Sequence, residues 1–250
     1  MYKQKYTKKR KQELPVVEMR NVTKVYSLRH EKPTFVEKIL SQSRVEHFKA
    51  LKKVTLSIPA GERVAIIGQN GSGKTTLLKI ICGITKPQEG YVKTRGKVVS
   101  LIDLEAGFHP EMNGYENIHL NGLVIGMSRK EISEKMEAIV DFAGIGSFID
   151  APMFTYSEGM KLRLGFSVAI HSEPDILVLD EMFVTGDEGF QQKSSKKIDE
   201  IFEQGKTVIT VSHVMPFLEK YFNSYIWLDK GEVKSIGGKE VITDYKKFWK

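Results

Sequence analysis

The feature that most constrains this fold is a glycine-rich loop between an apolar run and a helical pattern. Gly68-Gln69-Asn70-Gly71-Ser72-Gly73-Lys74-Thr75 matches the pattern G-x-x-x-x-G-K-[ST] at every fixed position, and Thr76 follows it. Glycines let the backbone curl so that successive N–H groups face one anion, and a helix that begins near Lys74 adds its positive end. We expect Lys74 to reach the β- and γ-phosphates and the Thr75 hydroxyl to hold Mg²⁺. The loop therefore predicts a nucleoside triphosphate site.

Hydrophobic periodicity surrounds this loop with alternating strands and helices. The apolar run Arg63–Ile67 predicts a strand buried on both faces before the loop, and residues 75–82 predict a helix after it. Further strands are predicted over 16–26, 54–58, 176–179 and 208–211, and a terminal hairpin over 225–232. Further helices are predicted over 132–143, which follows a capping box at Ser128–Glu131, and over 159–170 and 193–204. Residues 29–48 are mixed and charged, which predicts a surface excursion with a short helix around 36–40. The alternation indicates an α/β protein with a helical insertion between about residues 112 and 165.

The charge of the chain is concentrated at its start. The net charge is +7, and six of the positive residues lie before Glu13, which leaves +1 for residues 12–250. We therefore expect a basic tail over residues 1–13 and a single, nearly neutral domain over 14–250. Such a tail is most often solvated, and contact with anionic lipid or with nucleic acid are the alternatives.

Composition narrows the class of protein further. One cysteine, Cys82, excludes a disulfide framework and fits a reducing compartment. No apolar run approaches the length of a membrane span, and the first residues lack the apolar core of a secretory signal. These features predict a soluble intracellular protein.

An acidic pair follows the predicted strand over 176–179. Asp180 is suited to hold Mg²⁺ through water, and Glu181 is suited to polarise a water molecule that attacks the γ-phosphate. A kinase would need an acceptor pocket as well, and no motif in the sequence marks one. The pair favours hydrolysis of the nucleotide.

The segment Tyr156-Ser157-Glu158-Gly159-Met160 resembles the signature of ABC-type ATPases, whose usual form is Leu-Ser-Gly-Gly-Gln. The loop, this segment, the acidic pair, Asp187 and His213 occur in the order of that family, over roughly residues 16–230. The stretch 106–118 and the residues 184–187 are similar to variants found in exporters of teichoic acids and polysaccharides. The resemblance implies a P-loop NTPase fold with a RecA-like mixed sheet, an antiparallel β part and a helical subdomain.

The resemblance also assigns roles to single residues. It implies that Tyr26 stacks on adenine, although Phe48 competes for that place after the intervening insertion. Ser157 and the Gly159 amide would meet the γ-phosphate held by the loop of a second subunit, so that two ATP molecules lie in a head-to-tail dimer. Asp187 would support that dimer contact, and His213 would contact the γ-phosphate.

Three departures from the family pattern stand out. Glu158 occupies a position where glycine is usual, and we expect its side chain to point outward. No glutamine occurs between Gln88 and Gln191, so the usual glutamine before the helical insertion is missing, and Asp103 or Glu105 lies nearest its place. The segment after Gly231 is too short for the glycan-reading domain of some relatives, so we expect selection of the glycan to occur elsewhere.

The function implied by this resemblance is that of an ATPase subunit at the cytoplasmic face of the membrane. Two copies, or a copy and a near relative, would attach to membrane permease subunits and export a lipid-linked teichoic acid or polysaccharide, with no nucleic acid partner. The alternatives are an ABC subunit for another cargo, whether importer or drug exporter, and a soluble ABC ATPase. A nucleotide sensor without hydrolysis is disfavoured by Lys74, Asp180 and Glu181.

Overall fold

The computed structural model describes residues 14–28, 46–102, 104, 107–179 and 188–248. Several sequence expectations fall on other residues and lie outside this description. They are the basic tail over 1–13, the short helix around 36–40, the acids Asp103 and Glu105, the pair Asp180 and Glu181, and Asp187.

The larger of two sheets has six strands in the order β5-β6-β7-β3-β8-β9. Its members are β3 (Arg63–Ile67), β5 (Val98–Ser100), β6 (Ile176–Leu179), β7 (Thr207–Val211), β8 (Ser224–Asp229) and β9 (Glu232–Gly237). All neighbours run parallel except β8 and β9, which form an antiparallel hairpin. Because β3 lies between β7 and β8, the loop after β3 emerges at the carboxyl edge of the parallel strands, where ligands bind in sheets of this kind. The predicted α/β fold class is confirmed.

The parallel strands are apolar because helices cover both of their faces. Helix α1 (Lys74–Ile81) begins after the glycine-rich loop and buries Leu77 and Leu78 in the core under one face. On the opposite face, strand residues such as Tyr225 of β8 share a core with Phe166 and Phe190 of the helices. Every residue of β6 and β7 is buried, so their sequences carry apolar runs without alternation.

A second sheet of three antiparallel strands has the order β2-β1-β4. It comprises β1 (Val17–Leu28), β2 (Glu46–Ile58) and β4 (Glu89–Thr94). The expected boundary between the surface excursion and this strand is wrong, since β2 begins at Glu46 rather than near residue 54 and pairs with β1 from Glu46 on. Residues 29–45 of the expected excursion lie outside the described residues. Register shifts interrupt this pairing, and Asn21 and Lys53 have left-handed backbones with φ near 50°. These irregularities break the alternation of apolar residues by which a long strand is recognised.

The chain between β5 and β6 is helical. They are α2 (Gly114–Val124), α3 (Arg129–Ala143), the 3₁₀ helices Gly146–Asp150 and Met153–Thr155, and α4 (Glu158–His171). Ser128 and Glu131 form the predicted capping box at the start of α3. Leu164 of α4 packs into the core of this helical part, whereas Phe166 and Ile170 pack under the large sheet. Helix α4 therefore joins two cores, and the domain limits at about 112 and 165 stay a prediction.

Three further helices complete the described chain: α5 (Glu188–Glu203), α6 (Met215–Tyr221) and α7 (Lys239–Phe248). The sequence did not predict α6 and α7, nor the strands β4 and β5. Strand β5 is too short to show a period, and β4 is mostly exposed. Across the residues described, no helix combines the length and apolar character that crossing a bilayer requires.

A buried amide fixes the loop that leads into α2. The Asn117 side chain is fully buried, and its Nδ2 donates to the carbonyl oxygens of His109, Met112 and Asn113 at 2.9–3.1 Å. Its Oδ1 accepts from the His109 N–H at 2.7 Å. The same loop is joined to the second 3₁₀ helix, since Met153 N donates to the Met112 carbonyl at 2.9 Å. One side chain thus bonds to four backbone groups of this loop, and the carbonyl oxygens of His109, Met112 and Asn113 each accept one backbone N–H as well.

Replacement of Asn117 by leucine should lower the free energy of unfolding by about 1–3 kcal/mol, because the His109 N–H loses the Asn117 acceptor and three carbonyl oxygens each lose one of two donors. The exposed neighbour His119 on the same helix is the matched control, and His119→Ala should change stability by less than about 0.5 kcal/mol. Urea unfolding followed by circular dichroism measures both. Equal stability of the two variants would contradict the role given to Asn117.

Candidate nucleotide site

The glycine-rich loop is shaped by close backbone contacts. Gly73 caps α1 with φ of 102°, and a Cβ atom there would lie 2.5 Å from the carbonyl oxygen of Ala50. At Gly68 a Cβ atom would lie 2.1 Å from the carbonyl oxygen of Leu228. Both distances are far below van der Waals contact, so only glycine fits. The spacing of glycines in the sequence therefore reflects strands β2 and β8, which flank the loop.

The β8–β9 turn holds the loop from outside. Gly231 N donates to the Ser72 carbonyl at 3.0 Å, and Lys52 N donates to the Gly231 carbonyl at 2.8 Å. Within the loop, Ser72 N donates to the Gln69 carbonyl at 3.1 Å. Sequence reasoning missed Ala50, Leu228 and Gly231 as supports, because an Asp-Lys-Gly turn signals only a hairpin.

The lysine of the loop folds back over it. Lys74 is buried, with 7% of its surface exposed. Its Nζ donates to the carbonyl oxygens of Gly68 and Gln69 at 2.7 and 2.8 Å. Its ammonium therefore lies over the concave side of the loop, at the amino end of α1. The arrangement places a cation and a helix N-terminus together, which is the chemistry that binds phosphate.

The other polar groups of the loop also fit a nucleotide with a divalent cation. The Ser72 hydroxyl is buried and has no hydrogen-bond partner among the described residues. Thr75 is exposed in the first turn of α1, so its hydroxyl is available to a ligand. A buried orphan hydroxyl and an exposed one beside a lysine suit phosphate oxygens and Mg²⁺ respectively.

An open cleft of about 510 Å³ brings the predicted nucleotide residues together. It is lined by Tyr26, Phe48, Ala50, Asn70, Gly71, Gly73, Lys74, Thr75, Thr76, Val211 and His213. His213 follows β7 and lies on the exposed turn before α6, where Ser212 Oγ accepts from Val214 N at 3.0 Å. The cleft joins residues from both sheets and from the loop.

The two aromatic residues that compete for the base are direct neighbours. Tyr26 of β1 pairs with Phe48 of β2 in the antiparallel register, and the rings are 37% and 48% exposed. Lys24 Nζ lies 5.2 Å from the centroid of the Tyr26 ring. Both rings line the cleft, so the structure offers an aromatic wall of two residues at the place where one was expected.

The predicted signature residues lie elsewhere on the molecule. Ser157 caps α4, and its Oγ accepts from Met160 N at 3.3 Å. Neither Ser157 nor Gly159 is among the described residues that line the cleft. The Glu158 side chain is 78% exposed and pairs with Lys161 Nζ at 2.8 Å, so it points outward as expected. Asp180, Glu181 and Asp187 lie outside the described residues, and their roles stay predictions.

Comparison with known proteins identifies relatives of the whole chain. The family model described as ABC transporter matches residues 51–184. The chain is 39% identical to "O-antigen export system ATP-binding protein RfbB" of Klebsiella pneumoniae over 93% of the chain and 98% of that protein. It is 39% identical to "Teichoic acids export ATP-binding protein TagH" of Bacillus anthracis over 94% of the chain. The chain spans less than half the length of several relatives, 43% in the case of that Bacillus protein.

A solved structure of a dimer shares the fold of this chain. It is the post-hydrolysis state of the ATP-binding cassette MJ0796 bound to ADP and phosphate. The TM-score is 0.67 at 27% identity, over 89% of this chain and 98% of the other.

Substitution of Gly73 by alanine should abolish measurable ATP binding, because the new methyl group meets the Ala50 carbonyl and displaces the loop. Gly126→Ala is the matched control, since Gly126 has a similar backbone with φ of 88° but open space around it. That control should cost about 1 kcal/mol of stability from the left-handed backbone alone and leave ATP affinity within about twofold. Calorimetric titration with ATP and Mg²⁺ measures both. Normal binding by the Gly73→Ala protein would contradict the shape given to the loop.

Proposed function

The chain belongs to the ABC transporter family, and we propose from that membership that it is the ATP-hydrolysing subunit of an exporter. The proposed cargo is a lipid-linked teichoic acid or cell-surface polysaccharide, the class named in its relatives. The observation that carries the proposal is the single cleft that holds the Lys74 ammonium, the Thr75 hydroxyl, an aromatic pair and His213, within a chain similar to export ATPases along almost its whole length.

Each residue of the cleft has a proposed task in binding ATP. The loop N–H groups and Ser72 Oγ hold the phosphates, and Lys74 exchanges its two carbonyl partners for phosphate oxygens. Tyr26 and Phe48 pack against the base, since an aromatic wall offers stacking area. The Thr75 hydroxyl and Asp180 would hold Mg²⁺, which neutralises charge on the phosphates when it is bound.

Hydrolysis needs a base and a group that senses the terminal phosphate. Glu181 accepts the proton of the attacking water, and His213 donates a hydrogen bond to the γ-phosphate. The position of His213 at the cleft supports the second assignment. Both assignments follow the general requirements of phosphoryl transfer, in which positioning and charge stabilisation supply most of the catalysis.

The signature segment requires a second copy of the chain. Ser157 is exposed at the start of α4 and does not line the cleft of its own chain, which supports a partner that brings its own cleft to it. The dimeric cassette structure supports the same arrangement. Two ATP molecules held between two copies add contacts that only the closed dimer makes, so that ATP shifts the equilibrium toward closure.

Exposed aromatic side chains on the helical part are candidates for contact with a membrane partner. Phe148 and Phe154, one in each 3₁₀ helix, are 49% and 66% exposed. Aromatic residues are enriched at protein–protein interfaces. We assign these two residues to contact with a permease subunit at the cytoplasmic face of the membrane.

The nucleotide roles predict two distinct variants. Lys74→Ala should lose ATP affinity by at least tenfold, because the phosphates lose their buried cation. Glu181→Gln should bind ATP normally but lose turnover by roughly a hundredfold or more, because the water loses its general base. Calorimetry and phosphate release measure the two effects. Wild-type turnover by the Glu181→Gln protein would refute the assigned base.

Affinity purification from detergent-solubilised membranes tests the transport role. We expect the protein to recover a membrane subunit in stoichiometric amount, and Phe154→Arg to lower that recovery at least fivefold. Ile84→Arg, which changes an equally exposed apolar residue near α1, is the control and should recover the partner normally. Active ATPase without any membrane partner would favour a soluble ABC ATPase, and a partner encoded away from genes of glycan synthesis would favour another cargo.

A further inference from the structure

The last described helix packs behind the nucleotide loop. Val241 and Ile242 of α7 are buried against the large sheet. On the same helix, the rings of Tyr245 and Phe248 meet the Trp227 ring at centroid distances of 5.6 and 5.2 Å, with edge-to-face geometry. Aromatic pairs in this geometry stabilise each other beyond their buried area. Helix α7 is therefore fixed to β8.

Strand β8 connects this helix to the loop. Trp227 lies opposite Ile67 in the parallel register of β8 and β3, and Ile67 is the residue before Gly68. The next residue of β8, Leu228, presents the carbonyl oxygen that excludes any side chain at Gly68. A displacement of α7 would thus reach the start of the loop through two adjacent residues of β8.

Tyr245 also borders the nucleotide site directly. A shallow, open depression of about 360 Å³ is lined by Gln69, Asn70, His213 and Tyr245. Gln69 and Asn70 belong to the loop, and His213 lies in the turn between β7 and α6. Tyr245 thus contributes an aromatic wall to the space between the loop and the histidine.

A second contact ties α7 to the segment that carries His213. Lys246 Nζ pairs with Glu219 Oε1 on α6, the helix that begins two residues after His213. An exposed pair of this kind contributes little stability, but it shows that α7 lies beside α6. Burial raises the pKa of the Tyr245 phenol.

We propose that Tyr245 is a positioning residue for ATP hydrolysis, whose ring holds His213 and the Gln69–Asn70 turn at the distance that the γ-phosphate requires. The inference rests on the proposed ATPase function. It adds a residue of the final helix to a site otherwise built from the loop, the strand ends and the small sheet. Tyr245 acts through His213 and the loop and is not itself assigned a contact with ATP.

The test separates kcat from KM for ATP. Tyr245→Leu should lower kcat about tenfold and leave KM within about threefold, because misplacement of a catalytic group affects the transition state more than ground-state binding. Tyr245→Phe keeps the ring and should restore most of the lost kcat. Asp244→Asn, an exposed change on the same helix, is the control for general effects on α7.

A double-mutant cycle with His213→Ala tests the route of the effect. If Tyr245 acts through the histidine, Tyr245→Leu should lower kcat less than twofold when His213 is already alanine. Effects that multiply in the double mutant, or a Tyr245→Leu enzyme with normal kcat, would overturn the inference. Should the leucine variant unfold below the assay temperature, Tyr245→Met fills the same space and is judged by the same criteria.

The outcome also distinguishes this inference from the function on which it rests. A wild-type protein that binds ATP and hydrolyses it, but is indifferent to the residue at 245, would refute the role of Tyr245 alone. A wild-type protein that neither binds nor hydrolyses ATP would overturn the proposed function and the inference with it.

Discussion

The contact between the glycine-rich loop and the backbone around it is the constraint on which the rest of the structure depends. The Ala50 carbonyl faces Gly73, the Leu228 carbonyl faces Gly68, and Gly231 N donates to the Ser72 carbonyl. These contacts come from strand β2 and from the β8–β9 hairpin, far apart in sequence. A loop clamped in this way has its backbone shape fixed before any nucleotide arrives, so little ordering entropy is lost on binding.

The cleft is built from several elements, which gives nucleotide binding a route by which to move the helical part. The aromatic pair comes from the small sheet, the lysine from α1 and the histidine from the turn after β7, so the proposed roles have one nucleotide contact all three elements. Helix α4 begins at Ser157 in the helical part and ends under the large sheet. A rigid helix that joins two cores can transmit a change at the nucleotide site to the exposed aromatic residues of the helical part.

The sequence predicts most of the chemistry but only part of the framework. The loop, the buried strands and the capping box of α3 are local patterns, so residues within a short window identify them. Only residues 54–58 of β2 were predicted; the first part, over 46–53, escaped because Lys53 adopts a left-handed backbone at a register shift and the lysines around it break the apolar alternation. The supports at Ala50 and Leu228 act through carbonyl oxygens, which every residue type carries. Tyr245 reaches the site through the packing of α7 on Trp227, and no motif marks a single aromatic residue in an amphipathic helix.

The molar mass of the Glu181→Gln protein in solution tests the central claim most directly, since that claim is ATP held between two copies. Light scattering with saturating ATP and Mg²⁺ should give twice the chain mass of 28.4 kDa, and ADP should return the protein to 28.4 kDa. Introduction of Ser157→Arg into the same protein should prevent the doubling without loss of ATP binding. A mass of 28.4 kDa with ATP bound, or a dimer indifferent to Ser157→Arg, would contradict the account.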